Sequence, residues 1–168
     1  MQQYYDAKNP DIKIRFAVEE DTPLILSLIK GLAEYEKMSD QVTATEEILK
    51  NSLFVRKKAE VVIAEYKGEP VGFALFFHNF STFLGKPGIY LEDLFVKPEM
   101  RGLEIGKALL SFLAKLAVER DCGRLEWSCL DWNKPSIAFY KSEGAVSMDG
   151  WTVYRVTAQS LNDLAEQF

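Results

Sequence analysis

The sequence contains few of the residues that build metal centres and disulfide frameworks. Its 168 residues include one histidine, His78, and two cysteines, Cys122 and Cys129, and nothing arranges these cysteines as a framework or a zinc site. A single histidine excludes metal sites built from several histidines. His78 lies among apolar residues, which favours a packed strand position over a role in a catalytic triad. The sparing use of cysteine favours a reducing cytoplasm.

Long apolar runs and an excess of basic residues are also missing. No run approaches the ~20 apolar residues of a membrane helix. Residues 1–11 are polar and aromatic and lack the basic-then-apolar order of a secretion signal, so they are predicted to form a flexible tail. The net charge of −5 disfavours non-specific nucleic-acid binding and suits the attraction of cations. We therefore expect neither a membrane nor a nucleic acid as partner.

The composition is that of one globular domain, which we place at residues 12–168. With 48% hydrophobic and 27% charged residues, the chain can bury a core without disulfides or metal. The apolar periodicity predicts an α/β (α+β) chain in the order β-α-α-β-β-β-α-β-α-β-β, with one βαβ unit over residues 89–130. A capping pattern over Thr43–Glu46 precedes the second helix. The last two strands, 145–148 and 152–156, are predicted to form a closing hairpin before a terminal helix.

Residues 90–109 carry the most informative pattern. A strand-like stretch is followed by a short turn and by a helix whose start contains Gly102 and Gly106. The N–H groups of a first helical turn have no partners inside the helix, so this junction with flanking cations suits a phosphate-bearing ligand. Two adjacent carboxylates in the strand, Glu92 and Asp93, suit a cationic partner instead. The stretch therefore predicts a site for both an anion and a cation.

Several short blocks support a resemblance to a known family. Arg101–Gly106 resembles the Q/R-x-x-G-x-G/A signature of the GNAT acetyltransferases. The blocks that look like the diamine (spermidine/spermine) acetyltransferase branch are Tyr90–Asp93, Asp131–Ser136, Phe139–Lys141 and Gly150–Trp151. Ser81-Thr82 and Leu130–Asn133 are more similar to the thialysine acetyltransferases of that branch. The resemblance implies the GNAT acyl-CoA N-acyltransferase fold, with a mixed central sheet of about seven strands flanked by helices.

The resemblance also implies roles for individual residues. The residues that would hold acetyl-CoA are Leu94, Phe95, Val96, Arg101, Gly102, Leu103, Glu104, Ile105, Gly106, Lys107, Asn133, Lys134, Pro135, Ser136 and Tyr140. Those that would line the amine site are Tyr35, Glu36, Glu92, Asp93, Glu126, Trp127, Ser128, Asp149 and Trp151. Tyr140 would protonate the departing thiolate, and Glu92 would act on the amine, through water. A homodimer and the absence of a metal are implied as well.

An amine acceptor gives the two carboxylates a chemical role. An alkylammonium with a pKa near 10.4 must lose a proton before it attacks a thioester, which costs roughly 4–5 kcal/mol at pH 7. A carboxylate whose own pKa is raised by burial or by a like charge can attract the cation and relay the proton. Successive strand residues point to opposite faces, so only a β-bulge would let both Glu92 and Asp93 serve one site. The alternative interpretation is a strand with one solvated, charged face.

Two positions depart from the family pattern. Glu104 stands where the signature has its first glycine, and a carboxylate there repels phosphates and competes for the helix N–H groups, so we expect weakened cofactor binding. The loop Phe80–Phe83 lacks an acid that the polyamine enzymes carry, which favours a short amino acid-like amine over a long polycation.

Three functions remain open at this point. The first is an N-acetyltransferase that moves acetyl from acetyl-CoA to a primary amine of a small cationic substrate, either a thialysine- or lysine-like amino acid or a diamine or polyamine. The second is a non-catalytic acyl-CoA-binding or sensor protein, in which Glu104 marks a degenerate cofactor loop. The third is a protein N-acetyltransferase. Without the resemblance, Tyr140, Trp132 and Trp151 would be interpreted as packing aromatics.

Overall fold

The computed structural model describes residues 1–168, which form two compact units, 1–128 and 129–168. The strands are β1 (Tyr4–Asp6), β2 (Ile12–Phe16), β3 (Glu60–Tyr66), β4 (Glu69–Ser81), β5 (Lys86–Val96) and β6 (Leu125–Trp127). The helices are α1 (Thr22–Tyr35), α2 (Glu46–Lys50), α3 (Ile105–Glu119), α4 (Lys134–Ser142) and α5 (Ala158–Ala165). None of the helices is long and apolar enough to span a bilayer.

The six strands form one mixed sheet in the order β1-β2-β3-β4-β5-β6. All neighbours are antiparallel except β5 and β6, which are parallel and are joined through α3. The antiparallel first half and the single βαβ unit are therefore as predicted. The sequence predicts a polar, glycine-containing loop over residues 80–88 before β5. The loop is shorter than this, because β4 continues to Ser81 and β5 begins at Lys86.

Helices cover the two faces of the sheet in the first unit. On one face, α1 and α2 bury an apolar cluster that includes Val61, Ile63, Phe73 and Phe95. Val62 is fully buried as well and, by strand alternation, points to the opposite face. There α3 buries its apolar stripe, of which Leu109 and Leu113 are fully buried. The amphipathic pattern of α3 predicted this packing.

The first residues are not the loose tail that their composition predicted. Tyr4–Asp6 pairs with β2, and the Tyr5 ring lies 4.9 Å from the Phe112 ring of α3 and 6.2 Å from Phe16. Alternation within so short a strand is too weak to detect. The aromatic contact fixes this segment to α3, and the sequence gives no sign of which partner Tyr5 finds.

The closing hairpin over 145–148 and 152–156 is absent. The sheet therefore lacks two predicted strands and gains the unpredicted strand Tyr4–Asp6, which gives six strands where seven were expected. Gly150 adopts a φ of 92° in a turn, but the flanking segments do not pair. Their large side chains, among them Val153 and Tyr154, are exposed. An isolated hairpin is only marginally stable without a surface to bury its apolar face, which explains why alternation alone misled here.

The cap of α2 is also shifted, since Thr45 and not Thr43 accepts the N–H of Ile48, at 3.2 Å.

Candidate active site

A β-bulge at Glu92 changes the face on which β5 presents its side chains. Leu91 pairs with Phe76 of β4, whereas Asp93 pairs with Leu75, so Glu92 is the extra residue between them. Directly paired residues share a face of the sheet. An odd-numbered residue of β5 pairs with an even-numbered residue of β4 before Glu92 and with an odd-numbered residue after it, so the odd-numbered residues of β5 change face at this point. Asp93 therefore lies on the α1 face with Leu75, while Leu91 lies on the α3 face. The bulge that the sequence argument required is present.

The face change brings Asp93 close to the end of α1, where Glu36 follows the last helical residue, Tyr35. Burial, together with the charges of Glu92 and Glu36, raises the pKa of Asp93 to about 6. Burial also raises the pKa of Glu36. Glu92 itself is exposed. The arrangement is an acidic pocket in which one carboxylate titrates just below neutral pH and can accept or release a proton under mild conditions.

Replacing Asp93 with asparagine should stabilise the fold at neutral and alkaline pH. The folded pKa of about 6 exceeds the ordinary value of 3.8. Stability is therefore full below about pH 4, falls as pH rises toward 6 and stays low above it. The loss amounts to at most about 3 kcal/mol. In thermal melts from pH 4 to pH 8, the melting temperature of Asp93→Asn should rise relative to that of wild type as the pH increases. The exposed variant Asp40→Asn should show no such trend, and a parallel pair of curves for Asp93→Asn would contradict the account.

The strands β5 and β6 part next to this pocket. Only Ile89–Leu91 pairs with Leu125–Trp127, after which β6 ends while β5 continues to Val96. The edge of residues 92–96 is therefore not covered by β6. An uncovered strand edge presents main-chain N–H and C=O groups to any extended ligand that carries amides. Phe95 is buried in the cluster under α1, so it can contribute only its main chain.

The turn between β5 and α3 ends in a helix N-terminus that suits an anion. The first helical bond runs from Ala108 N–H to Glu104 C=O at 2.9 Å, which leaves the N–H groups of Ile105 and Gly106 ahead of it. Such groups and the helix dipole favour a phosphate. The side chain of Ile105 is buried, so it too can serve only through its backbone. Gly102 has a φ of 80° and open space where a Cβ would stand, so it adds room at the turn.

Glu104 is held in an unfavourable backbone conformation at this turn. It precedes α3 with φ 63° and ψ 18°, in the left-handed region that glycine adopts at no steric cost. Its side chain makes no capping hydrogen bond, so it does not compete for the helix N–H groups as the sequence argument supposed. The backbone thus provides a second reason for a glycine in the signature, besides room for a phosphate.

Changing Glu104 to glycine should improve both the fold and cofactor binding. Relief of the left-handed strain should raise the free energy of unfolding by about 1 kcal/mol. Removal of the charge should tighten acetyl-CoA binding roughly five-fold if the repulsion is ~1 kcal/mol. Glu104→Gln removes the charge but keeps the strain, so it should show only the second effect. Denaturant melts and binding titrations measure the two quantities, and an unchanged affinity in both variants would contradict the electrostatic part.

The remaining residues of the first unit that were predicted to line an amine site divide between the two faces of the sheet. Glu126 pairs with Tyr90, and its Oε1 accepts a hydrogen bond from Asn79 Nδ2 at 2.9 Å. The Arg124 side chain is near the same carboxylate, with Nε 3.0 Å from Oε1. Trp127 pairs with Leu91 and therefore lies on the α3 face, away from Asp93.

Sequence reasoning missed two residues that shape this region. Asn79 holds Glu126, and the Tyr90 hydroxyl lies 2.9 Å from Ser128 Oγ while its ring packs 5.3 Å from Phe77. Both belong to strands; Asn79 lies in no motif, and Tyr90 belongs to the block Tyr90–Asp93 without an assigned role. A map of cross-strand pairs would have been needed to find them, and no single-sequence signal supplies one.

The second unit contains the other predicted residues. Asn133 is buried and caps α4 by accepting the Ser136 N–H at 3.4 Å, while Lys134 and Pro135 are exposed in the first turn. Tyr140 is half-buried near the end of α4, with its ring 5.5 Å from that of Phe139. Asp149 and Trp151 lie in the irregular segment after α4, both exposed, and Asp149 accepts a hydrogen bond from Ser147. The assigned roles of these residues stay predictions.

Comparison with known proteins identifies the class. The sequence pattern of the Acetyltransferase (GNAT) family matches residues 25–145. The chain therefore belongs to the GNAT acetyltransferase family and is an acyltransferase enzyme.

Individual relatives narrow the similarity further. The thialysine N-epsilon-acetyltransferase of Bos taurus is 39% identical over an alignment 168 positions long. The alignment covers 92% of this chain and 97% of the relative. The L-ornithine N5-acetyltransferase of Arabidopsis thaliana is 30% identical, covering 89% and 86%. Among solved structures, an integron cassette protein from the V. cholerae mobile metagenome has a TM-score of 0.77 at 29% identity, covering 93% of this chain and 98% of that one.

Proposed function

We propose that this enzyme transfers acetyl from acetyl-CoA to a primary amine of a small, lysine-like amino acid. The observation that supports it most is the bulge at Glu92, which places the acidic pocket beside the point where β5 and β6 part. One ligand-binding region thus combines an open strand edge, a helix N-terminus for phosphates and a carboxylate pair for an ammonium group. These are the requirements of a thioester donor and a cationic acceptor.

The donor contributes a thioester, and the chain's residues bind it and move protons. The main chain of Leu94–Val96 would pair with the amides of the pantetheine arm, and the N–H groups at the start of α3 would bind the diphosphate. The exposed carboxylate of Glu92 receives the ammonium proton through a water molecule. The amine nitrogen then bonds to the acetyl carbon and gives up its second proton to water. The carbon–sulfur bond breaks, and the thiolate takes the phenolic proton of Tyr140, which is replaced from solvent.

The acceptor is proposed to be short and amino acid-like. The turn from Phe80 to Phe83 carries no acid, and Ser81 there is buried with its hydroxyl accepting the Leu84 N–H. A long polycation gains from several spaced carboxylates, whereas an amino acid's own carboxylate would be repelled by them. The names of relatives that act on thialysine and L-ornithine support the same class.

An amine panel tests the proposal directly. Purified protein with acetyl-CoA should release CoA fastest with thialysine, lysine or ornithine, more slowly with spermidine, and slowest with a lysine-containing peptide. Preference for the peptide would replace the proposal with protein acetylation, and preference for spermidine would overturn the substrate class. Mass spectrometry of the acetylated product identifies the nitrogen that reacts.

A homodimer is part of the proposal. Val146, Met148, Trp151, Val153 and Tyr154 place a run of large apolar side chains in solvent, with Trp151 82% and Tyr154 91% exposed. A segment with this many exposed large apolar side chains favours a protein interface. The partner proposed is a second copy of the chain, as the family resemblance implies. Light scattering should give twice the mass of 19.1 kDa, and a monomer at micromolar concentration would refute it.

The proposed place of action is the cytoplasm. Neither Cys122 nor Cys129 is part of a disulfide, which agrees with a reducing compartment.

A further inference from the structure

The turn between β5 and α3, which contains Arg101, is in direct contact with the end of α1. The guanidinium carbon of Arg101 lies 4.6 Å from the centre of the Tyr35 ring, within the range of a cation–π contact. Arg101 is exposed and precedes Gly102, whereas Tyr35 is half-buried and is the last residue of α1. The tyrosine therefore provides the more firmly held surface, and the arginine is the group that it orients.

The geometry of a guanidinium makes this contact compatible with anion binding. Its flat faces stack on aromatic rings, while all five N–H donors lie in its plane. A guanidinium stacked on Tyr35 keeps these donors directed sideways, where phosphate oxygens can accept them in pairs. An unstacked arginine on an exposed turn would lose rotamer freedom on binding the same anion. Stacking thus fixes the side chain in advance.

Tyr35 is also joined to the acidic pocket. Glu36 follows it directly, and the Glu36 and Glu92 carboxylates are the two charges that act on Asp93. One peptide unit joins Tyr35 to Glu36, so both side chains are carried by the same end of α1. The Arg101–Tyr35 pair therefore lies between the helix N-terminus that suits a diphosphate and the carboxylates that suit an ammonium group.

We propose that Tyr35 is a positioning residue that orients Arg101 for the diphosphate of CoA, and that through this pair cofactor and amine strengthen each other's binding. The first half concerns the cofactor alone, and the second rests on the proposed function. Because linkage is reciprocal, the factor by which CoA raises amine affinity must equal the factor by which the amine raises CoA affinity. The strength of an exposed cation–π contact sets that factor at roughly two- to five-fold.

Calorimetric titration of CoA, which cannot react, tests the first half without any amine. Tyr35→Leu should bind CoA about two- to five-fold more weakly than wild type, and Tyr35→Phe, which keeps the ring, should bind CoA more tightly than Tyr35→Leu. Arg101→Lys keeps the charge on an exposed side chain but loses the flat face. In that background Tyr35→Leu should cause no further loss. Equal CoA affinity in wild type and Tyr35→Leu, or the same loss in the Arg101→Lys background, would overturn the positioning role.

Titration of thialysine with and without saturating CoA tests the second half. Wild type and Tyr35→Phe should bind the amine two- to five-fold more tightly with CoA, and Tyr35→Leu equally with and without it. Coupling that survives in Tyr35→Leu would overturn this part. If thialysine binds no variant while Tyr35→Leu still weakens CoA binding, the proposed acceptor is wrong and the positioning role of Tyr35 stands.

Discussion

Replacing Tyr140 with phenylalanine should lower the turnover number for acetyl transfer by about 10²-fold or more. The departing thiolate has a pKa near 8.5 as a free thiol, and a phenol near pKa 10 can supply its proton in the transition state. Phenylalanine keeps the half-buried ring beside Phe139, so the fold of α4 and the affinity for acetyl-CoA should stay within about two-fold of wild type. Steady-state kinetics combined with a binding titration separates the two quantities.

The matched control is Tyr66→Phe, a half-buried tyrosine at the end of β3 that has no proposed part in the chemistry. It should leave both turnover and affinity unchanged. If Tyr140→Phe turns over like Tyr66→Phe, water protonates the thiolate and Tyr140 is not the acid. If Tyr140→Phe loses affinity and turnover together, the hydroxyl acts in binding.

Replacing Glu92 with glutamine should lower kcat/KM by about 10²-fold at pH 6.5 and by much less at pH 9. An amine with a pKa near 10.4 is almost wholly protonated at pH 6.5, so the enzyme must remove the proton, whereas near pH 9 several per cent of the amine is already free. The position suits this role, because Glu92 is the extra residue of the bulge and its carboxylate is exposed to water. A pH series of kcat/KM for wild type and variant checks the expectation.

Two further variants should be measured in the same pH series, one as a matched control and one to separate the role of Asp93 from that of Glu92. Glu69→Gln, at the exposed start of β4, removes one carboxylate elsewhere and should follow wild type at every pH. Asp93→Asn should have a higher KM for the amine than wild type above pH 6, where the ionised Asp93 of the wild type would attract the ammonium group. Below pH 6 this difference in KM between variant and wild type should disappear. A Glu92→Gln defect of equal size from pH 6.5 to pH 9 would exclude Glu92 as the base.

Much of the fold could be predicted because local pattern and burial agree. The strand Glu60–Tyr66 and the stripe of α3 carry their periodicity openly, and the parallel pairing of β5 with β6 follows from the helix between them. Where burial depends on a distant partner, the sequence was silent or misleading. The sequence does not show that the Tyr5 ring packs against Phe112. The alternation of Thr152–Val156 predicts a strand, although the side chains of this segment are exposed in the single chain.

The candidate site was predictable in kind but not in geometry. The paired acids at Glu92 and Asp93 suggested a bulge, and the structure has one. Chemistry alone did not show that Asp93, and not Glu92, would be the more buried of the two. The left-handed backbone at Glu104 was equally hidden, because a glycine in a signature can stand for room as well as for torsion.

The extra residue in β5 makes the length of this strand decisive for the geometry of the candidate site. Before it, odd-numbered residues such as Leu91 belong to the α3 layer; after it, odd-numbered residues such as Phe95 belong to the α1 layer. Deletion of a single residue between Leu91 and Phe95 would remove this change of face. Either Asp93 would then point into an apolar layer, or Phe95 would no longer reach the cluster under α1. Homologous enzymes should therefore tolerate many substitutions in this strand but almost no change in its residue count.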